Sequence, residues 1–176
     1  MGMIRKAVAA DMDNLAAIYE RIHDGEEQGK TTIGWIRAIY PTAATARAAL
    51  DRDDLFVMEE GGKVVAAAII NQIQVPEYAN CPWAYPAPDD QVMVLHTLVV
   101  DPLAQGRGYG RAFVAFYEDY ARRHGCRYLR MDTNARNAAA RALYAKLGYA
   151  EPGIVDCDFN GIPGVKLVCL EKRLEP

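Results

Sequence analysis

Residues 92–110 constrain this chain more than any other stretch. Val92–Val100 is an apolar run interrupted only by His96 and Thr97. Such continuity predicts a strand buried on both faces. The segment Gln105-Gly106-Arg107-Gly108-Tyr109-Gly110 follows, and a helix is expected over about 108–124. Glycine costs about 1 kcal/mol in a helix interior, so three at a helix start need a reason. One reason is close approach of the backbone to an anion, since free N–H groups and the helix dipole favour phosphate there. A tight turn with positive φ accounts for one glycine more easily than for three. The alternating spacing departs from the G-x-G-x-x-G dinucleotide fingerprint, and no Gly-Lys-Ser/Thr of a Walker loop occurs. The first βα turn of a Rossmann fold would also lie nearer the N-terminus.

The flanking segments read as alternating strands and helices. Residues 4–8 form a short strand candidate. Asp11 is placed to cap a helix carrying Leu15, Ile18, Tyr19 and Ile22 at helical spacing, which should fade over 25–29. Thr42 opens a second, alanine-rich helix over 43–50. Two strand candidates flank Gly61-Gly62, a strong hairpin signal. Residues 72–90 hold four prolines, so regular structure is not expected there. That loop is either a substrate lid or a surface segment whose aromatics pin it to the core. Phe113, Phe116, Tyr117 and Tyr120 form a core-facing stripe on the helix after the glycines, and Gly125 stops it. A strand at 128–132, a helix at 137–147 closed by Gly148, and two strands around Asn160-Gly161 complete an α/β domain with a mixed sheet. The length of 176 residues matches one domain, 1–176.

Charge narrows the function. The net charge is −3, but residues 105–146 carry nine basic side chains and three acids. This argues against a uniformly basic nucleic-acid binder and leaves a local site for a polyanionic small molecule. No apolar run approaches the roughly 18 residues of a membrane span, and residues 1–11 lack the apolar stretch of a secretory signal. Four cysteines without CxxC spacing and three scattered histidines argue for reduced thiols, a cytoplasmic location and no metal cluster.

Leu98-Val99-Val100-Asp101-Pro102, followed by the Gln105–Gly110 turn, resembles motif A of the GNAT family of N-acetyltransferases. Asn137-x-x-Ala140-x-x-Leu143-Tyr144-x-Lys146-x-Gly148-Tyr149 resembles its motif B. Together, in order and on the expected elements, they carry a resemblance that extends loosely over the whole chain. Residues 35–41 and the strand with His96 resemble a bacterial small-molecule-type subgroup. The resemblance implies a three-layer α/β (α+β) fold: a mixed, mostly antiparallel central sheet of about seven strands flanked by about four helices. It also implies an acyltransferase with acetyl-CoA (coenzyme A) as cofactor. Backbone groups of Leu98, Val99 and Val100 would pair with the pantetheine arm. Amides over Gln105, Gly106, Arg107, Gly108, Tyr109, Gly110 and Arg111 would cradle the pyrophosphate. A splay between the motif A strand and the strand at 128–132 would admit the arm. Asn137 would contact the pantetheine region, with Lys146 also on the cofactor side.

In the resemblance Tyr144 stands near the thioester sulfur. A phenol, with pKa near ~10, is protonated at neutral pH and can donate to a departing thiolate. The alternative is a tyrosine packed on the sheet. His96, with an ordinary pKa near ~6.5, is either a base for the attacking amine or a core histidine bonded to backbone. Alternation puts it on one face with Val94, Leu98 and Val100 unless a bulge intervenes. Val94 stands where the family usually carries a glutamate, so a water chain through His96, Glu77 or Asp132 is the other route for the proton. Trp35, Tyr40, Glu77, Trp83, Tyr85 and Asp156 are the candidate acceptor residues, the aromatics for an apolar part and the acids for an amine. The reading is an acetyl-CoA-dependent N-acetyltransferase transferring to a small amine by direct attack in a ternary complex. The rivals are a protein or peptide N-terminal acetyltransferase and a non-catalytic acyl-CoA sensor. Dimerisation is common in such folds, though no segment specifies an interface.

Overall fold

Seven strands form one sheet in the computed structural model, which describes residues 2–176. They are β1 (Met3–Lys6), β2 (Leu55–Glu60), β3 (Lys63–Asn71), β4 (Val92–Val100), β5 (Tyr128–Asn134), β6 (Ala150–Phe159) and β7 (Ile162–Arg173). The helices are α1 (Met12–Glu27), α2 (Ala43–Asp51), α3 (Tyr109–Arg123) and α4 (Ala138–Lys146). The strand order is β1-β2-β3-β4-β5-β7-β6, with only β4 and β5 parallel. Two hairpin turns follow from their sequences: Gly61-Gly62 and Asn160-Gly161 all take the positive φ that a tight two-residue turn requires.

Alternation along the strands builds three layers. Phe56, Met58, Met93, Leu95, Leu129, Met131, Val168 and Leu170 face α3 and α4. On the opposite face Leu55, Val57, Ile69 and Val99 pack under α1 and α2. The rest of that face, with Val92, Val94, Leu167 and Cys169, is covered by residues 72–90 through Tyr78, Cys81 and Trp83. This loop holds two short 3₁₀ turns. Its backbone is pinned by two buried charged side chains of the sheet. Glu171 accepts from the amides of Ala84 (2.7 Å) and Tyr85 (3.2 Å). Arg130, the register partner of Glu171, donates to Gln74 (2.6 Å) and to the Tyr85 carbonyl (2.9 Å), and lies 4.2 Å from the Trp83 ring.

Asp11 departs from its expected capping role. Its carboxylate instead accepts from the Val8 amide (2.8 Å) and pairs with Arg5 (2.8 Å). A 3₁₀ turn, Ala9–Asp11, leads directly into α1, so Asp11 is the third residue of a helical run and its carboxylate reaches back to the residue before that turn rather than forward onto α1. Among the described residues no helix is long and apolar enough to cross a membrane. Nor, among those residues, is any group of three or more His, Cys, Asp or Glu arranged to hold a metal.

Candidate active site

The β4–β5 ladder is short. It pairs Val92 with Tyr128, Met93 with Leu129 and Val94 with Arg130, and then stops. Beyond it β4 stays paired to β3 and β5 to β7, so the two parallel strands part. Two features spread them. A bulge in β4 sets Thr97 at φ 50°, with Ala67 opposite Val99 but Ile69 opposite His96. A bulge bends its strand and resets alternation. Tyr40, from the α1–α2 connection, inserts at the same place and hydrogen-bonds Thr97 through their hydroxyls.

The opening joins both faces of the sheet. Leu98, Asn137, Ala140 and Tyr144 line it on the side of α4. Trp35, Tyr40, Asp132 and Phe159 line the other side, with Val165 and Leu167 of β7. Trp35 and Tyr40 meet edge to face, 6.0 Å between centroids. Their segment crosses the opening as a strap. Glu26 anchors it by accepting from the amides of Ile33 (2.9 Å) and Gly34 (2.7 Å) and from the Thr31 hydroxyl (2.8 Å).

Asp132 is the carboxyl inside the opening. Alternation on β5 turns it away from Leu129 and Met131 and toward Tyr78, whose hydroxyl donates to Oδ2 at 2.6 Å. Burial raises its pKa from 3.8 to about 6, against the lowering effect of that hydrogen bond; nearby Glu77 adds to the rise. Tyr144 is buried on α4, and burial raises its phenol above the ordinary value of 10. Among the described residues no hydrogen bond engages its hydroxyl.

His96 lines the same opening but is differently employed. Its Nε2 lies 2.8 Å from Asn71 Oδ1, and Asn71 Nδ2 donates to Asp54 (2.9 Å). Burial lowers its pKa to about 4, so the imidazole is neutral across the physiological range. The bulge also changes its companions. Leu98 and Val100 pack on the α3–α4 face with Met93 and Leu95, whereas His96 alternates with those residues and shares the face of Val92, Val94 and Val99.

The glycine turn lies beyond the end of β4. Gly106 and Gly108 take φ 80° and 78°, and a Cβ on either would meet nothing within 4 Å. Gly110 has no such φ, and a Cβ there would lie 3.7 Å from Leu143, an ordinary contact. Positive φ therefore accounts for two of the three glycines. Ala112 N bonds back to Gly108 O, while among the described residues no hydrogen bond takes up the amides of residues 105–111. Arg107 and Arg111 are exposed around them. Tyr109 contributes only backbone, because its side chain is buried in the core under α3. Arg21 on α1 grips Asp101 with two bonds, 2.9 and 2.8 Å, and fixes where the turn begins.

The remaining sequence candidates fall outside the opening. Lys146 is exposed in the last turn of α4. Glu77 is half-buried nearby and acts on Asp132 through its charge alone. Trp83 packs on Tyr78 and Arg130 beneath the loop, and Tyr85 lies against Tyr128 and Arg173. Asp156 is exposed and paired with Lys166 at 2.9 Å. Of the six acceptor candidates the fold thus brings Trp35 and Tyr40 together and adds Phe159. Asp132 emerges as the better-placed acid, an isolated carboxylate in a strand whose neighbours Leu129 and Met131 are apolar.

A family model described as the acetyltransferase (GNAT) family matches residues 12–149. The mycothiol acetyltransferase of Amycolatopsis mediterranei is 32% identical over 144 residues, 79% of this chain and 42% of that protein. A GNAT-family acetyltransferase structure from Streptococcus agalactiae superposes with a TM-score of 0.83 at 20% identity, covering 99% of this chain and 96% of that one. The Salmonella typhimurium protein yncA, solved with its cofactor acetyl-CoA, superposes with a TM-score of 0.68 at 21% identity, covering 100% and 95%. Both structures share this fold. The chain spans 25–62% of the length of the curated relatives it matches.

Proposed function

The chain belongs to the acetyltransferase (GNAT) family, and from that premise we propose that it is an acetyl-CoA-dependent N-acetyltransferase. Its acceptor is a small amine, acetylated by direct attack in a ternary complex. The observation that carries the reading is the opening between β4 and β5, where Tyr144 enters from one face of the sheet and Asp132 from the other.

The residues present fit the cofactor. The unpaired edge of β4 at Leu98–Val100 offers backbone groups to the amide-bearing pantetheine arm, as an added strand would use them. The free amides over 105–111, with open space above Gly106 and Gly108, fit a diphosphate at the start of α3. Asn137 caps α4 through Oδ1, accepting from Ala140 at 3.2 Å, and lines the channel beside it. When bound, acetyl-CoA supplies an acetyl carbonyl activated as a thioester.

The chain's own groups handle the protons. An amine enters as its cation and must lose a proton to attack. Asp132, ionised above about pH 6, pairs with that cation and takes the proton, which the neutral, weakly basic His96 is ill-suited to do. Tyr144 holds its proton at any working pH and donates it to the departing sulfur. Tyr78 fixes the orientation of Asp132.

Calorimetry with acetyl-CoA tests the cofactor, and thiol release with an amine panel tests the transfer. Binding with turnover is expected. Binding without turnover of any amine would make the protein a sensor, and no binding at millimolar acetyl-CoA would remove the cofactor assignment.

A further inference from the structure

Resting on that acetyltransferase reading, we propose that the acceptor is a small primary amine on an aromatic or branched apolar body, lacking any carboxylate. The acceptor side is walled by the Trp35, Tyr40 and Phe159 rings with Val165 and Leu167, the uncharged Thr133, Asn134 and Asn160 lie among them, and Asp132 is the one acid among the described lining residues. No Lys or Arg lines the opening. Of the cations nearest in sequence, Lys166 pairs with Asp156, Arg141 with Glu151, and Arg37 with Asp24 and Glu27, while Arg136 is exposed and is not among the residues that line the opening. His96 is neutral there.

A carboxylate on the acceptor would lose its water, find no counter-charge among the described lining residues, and face Asp132. An ammonium at the same place meets that carboxylate instead. A second amine, as in a polyamine, would find no second carboxylate, only uncharged side chains such as Thr133, Asn134 and Asn160. Size is limited by the strap. The Thr32 hydroxyl donates to the Arg136 carbonyl (2.9 Å) at one end. At the other, Ile39 packs so closely on Gly161 that a Cβ there would sit 3.0 Å from it. The strap therefore bridges the β5–α4 turn and the β6–β7 turn, and a peptide chain would have to pass beneath it.

The test compares 2-phenylethylamine, phenylalanine, spermidine and an alanine-initiated pentapeptide by thiol release, with acetyl-CoA binding measured separately by calorimetry. The expected result is a kcat/KM for 2-phenylethylamine at least about 100-fold above each of the others, given the penalty for an unpaired buried charge. Phenylalanine, spermidine or the peptide matching 2-phenylethylamine would overturn the inference. So would acetyl-CoA binding without acetylation of 2-phenylethylamine, which leaves the cofactor assignment standing. Absence of acetyl-CoA binding would instead remove the underlying reading. Phe159→Ala should raise KM for 2-phenylethylamine about tenfold and leave KM for acetyl-CoA unchanged. An unchanged amine KM in that variant would count against the assigned wall.

Discussion

Burial raises the Asp132 carboxyl from 3.8 to about 6, so ionising it costs the fold free energy. Stability from this residue is full below about pH 3.8 and is lost as pH rises to about 6, roughly 3 kcal/mol over that interval. Activity has the opposite sign, because the ionised form takes the proton. Asp132→Asn should therefore lower kcat by about 10²–10⁴-fold, abolish the acidic limb of kcat/KM near pH 6, and raise the denaturation midpoint at pH 7.5. Rate profiles and urea melts of the two proteins check all three. Tyr144→Phe should lower kcat by roughly 10²-fold or less with acetyl-CoA affinity preserved, read by steady-state kinetics and calorimetry. Tyr144 was legible as a candidate because its motif is local. Asp132 was named only as one stop on a proton path, because its burial depends on Tyr78, which approaches from a loop fifty-four positions earlier.

At the scale of elements, the strand β4 and the glycine turn were both visible, but their consequences were not. Alternation alone groups His96 with Leu98 and Val100. The bulge at Thr97 regroups it, and nothing in a run of apolar residues announces one added position. The turn yields a discriminating prediction. Gly108→Ala places a Cβ at φ 78° and should cost about 1–2 kcal/mol of stability or about tenfold in acetyl-CoA affinity. Gly110→Ala, already helical and with room beside Leu143, should be neutral or slightly stabilising. Urea denaturation and calorimetry of the pair separate the two roles that the alternating glycines share in the sequence.

Across the whole molecule, the third layer is the part that tertiary structure supplies most unexpectedly. Residues 72–90 cover half of one sheet face because buried Arg130 and Glu171 hold their backbone. Glu171→Ala leaves the amides of Ala84 and Tyr85 without their charged acceptor and removes a carboxylate whose charge favours the Arg130 cation, and should cost about 3–5 kcal/mol and expose residues 72–90 to limited proteolysis. Of the two earlier readings of this loop, the packing one describes Trp83 and Tyr85, while Val75 lines the opening and Tyr78 bonds Asp132.

By itself, the sequence determined the order of elements, both hairpin turns, the family and the position of the free amides, since each depends on residues close together along the chain. The charge split pointed to an anion site, although Arg122, Arg130 and Arg141 of the basic segment are engaged by Asp119, by Gln74 with Tyr85, and by Glu151. Tertiary structure decided which acid faces the acceptor. Asp156 is neutralised at the surface by Lys166, while Asp132 is drawn inside with a raised pKa. The reason is that a carboxylate's chemistry is set by solvent and partners, and these come from β6–β7, the strap and the loop before β4, elements far from it in sequence and assembled only when the sheet closes around the opening.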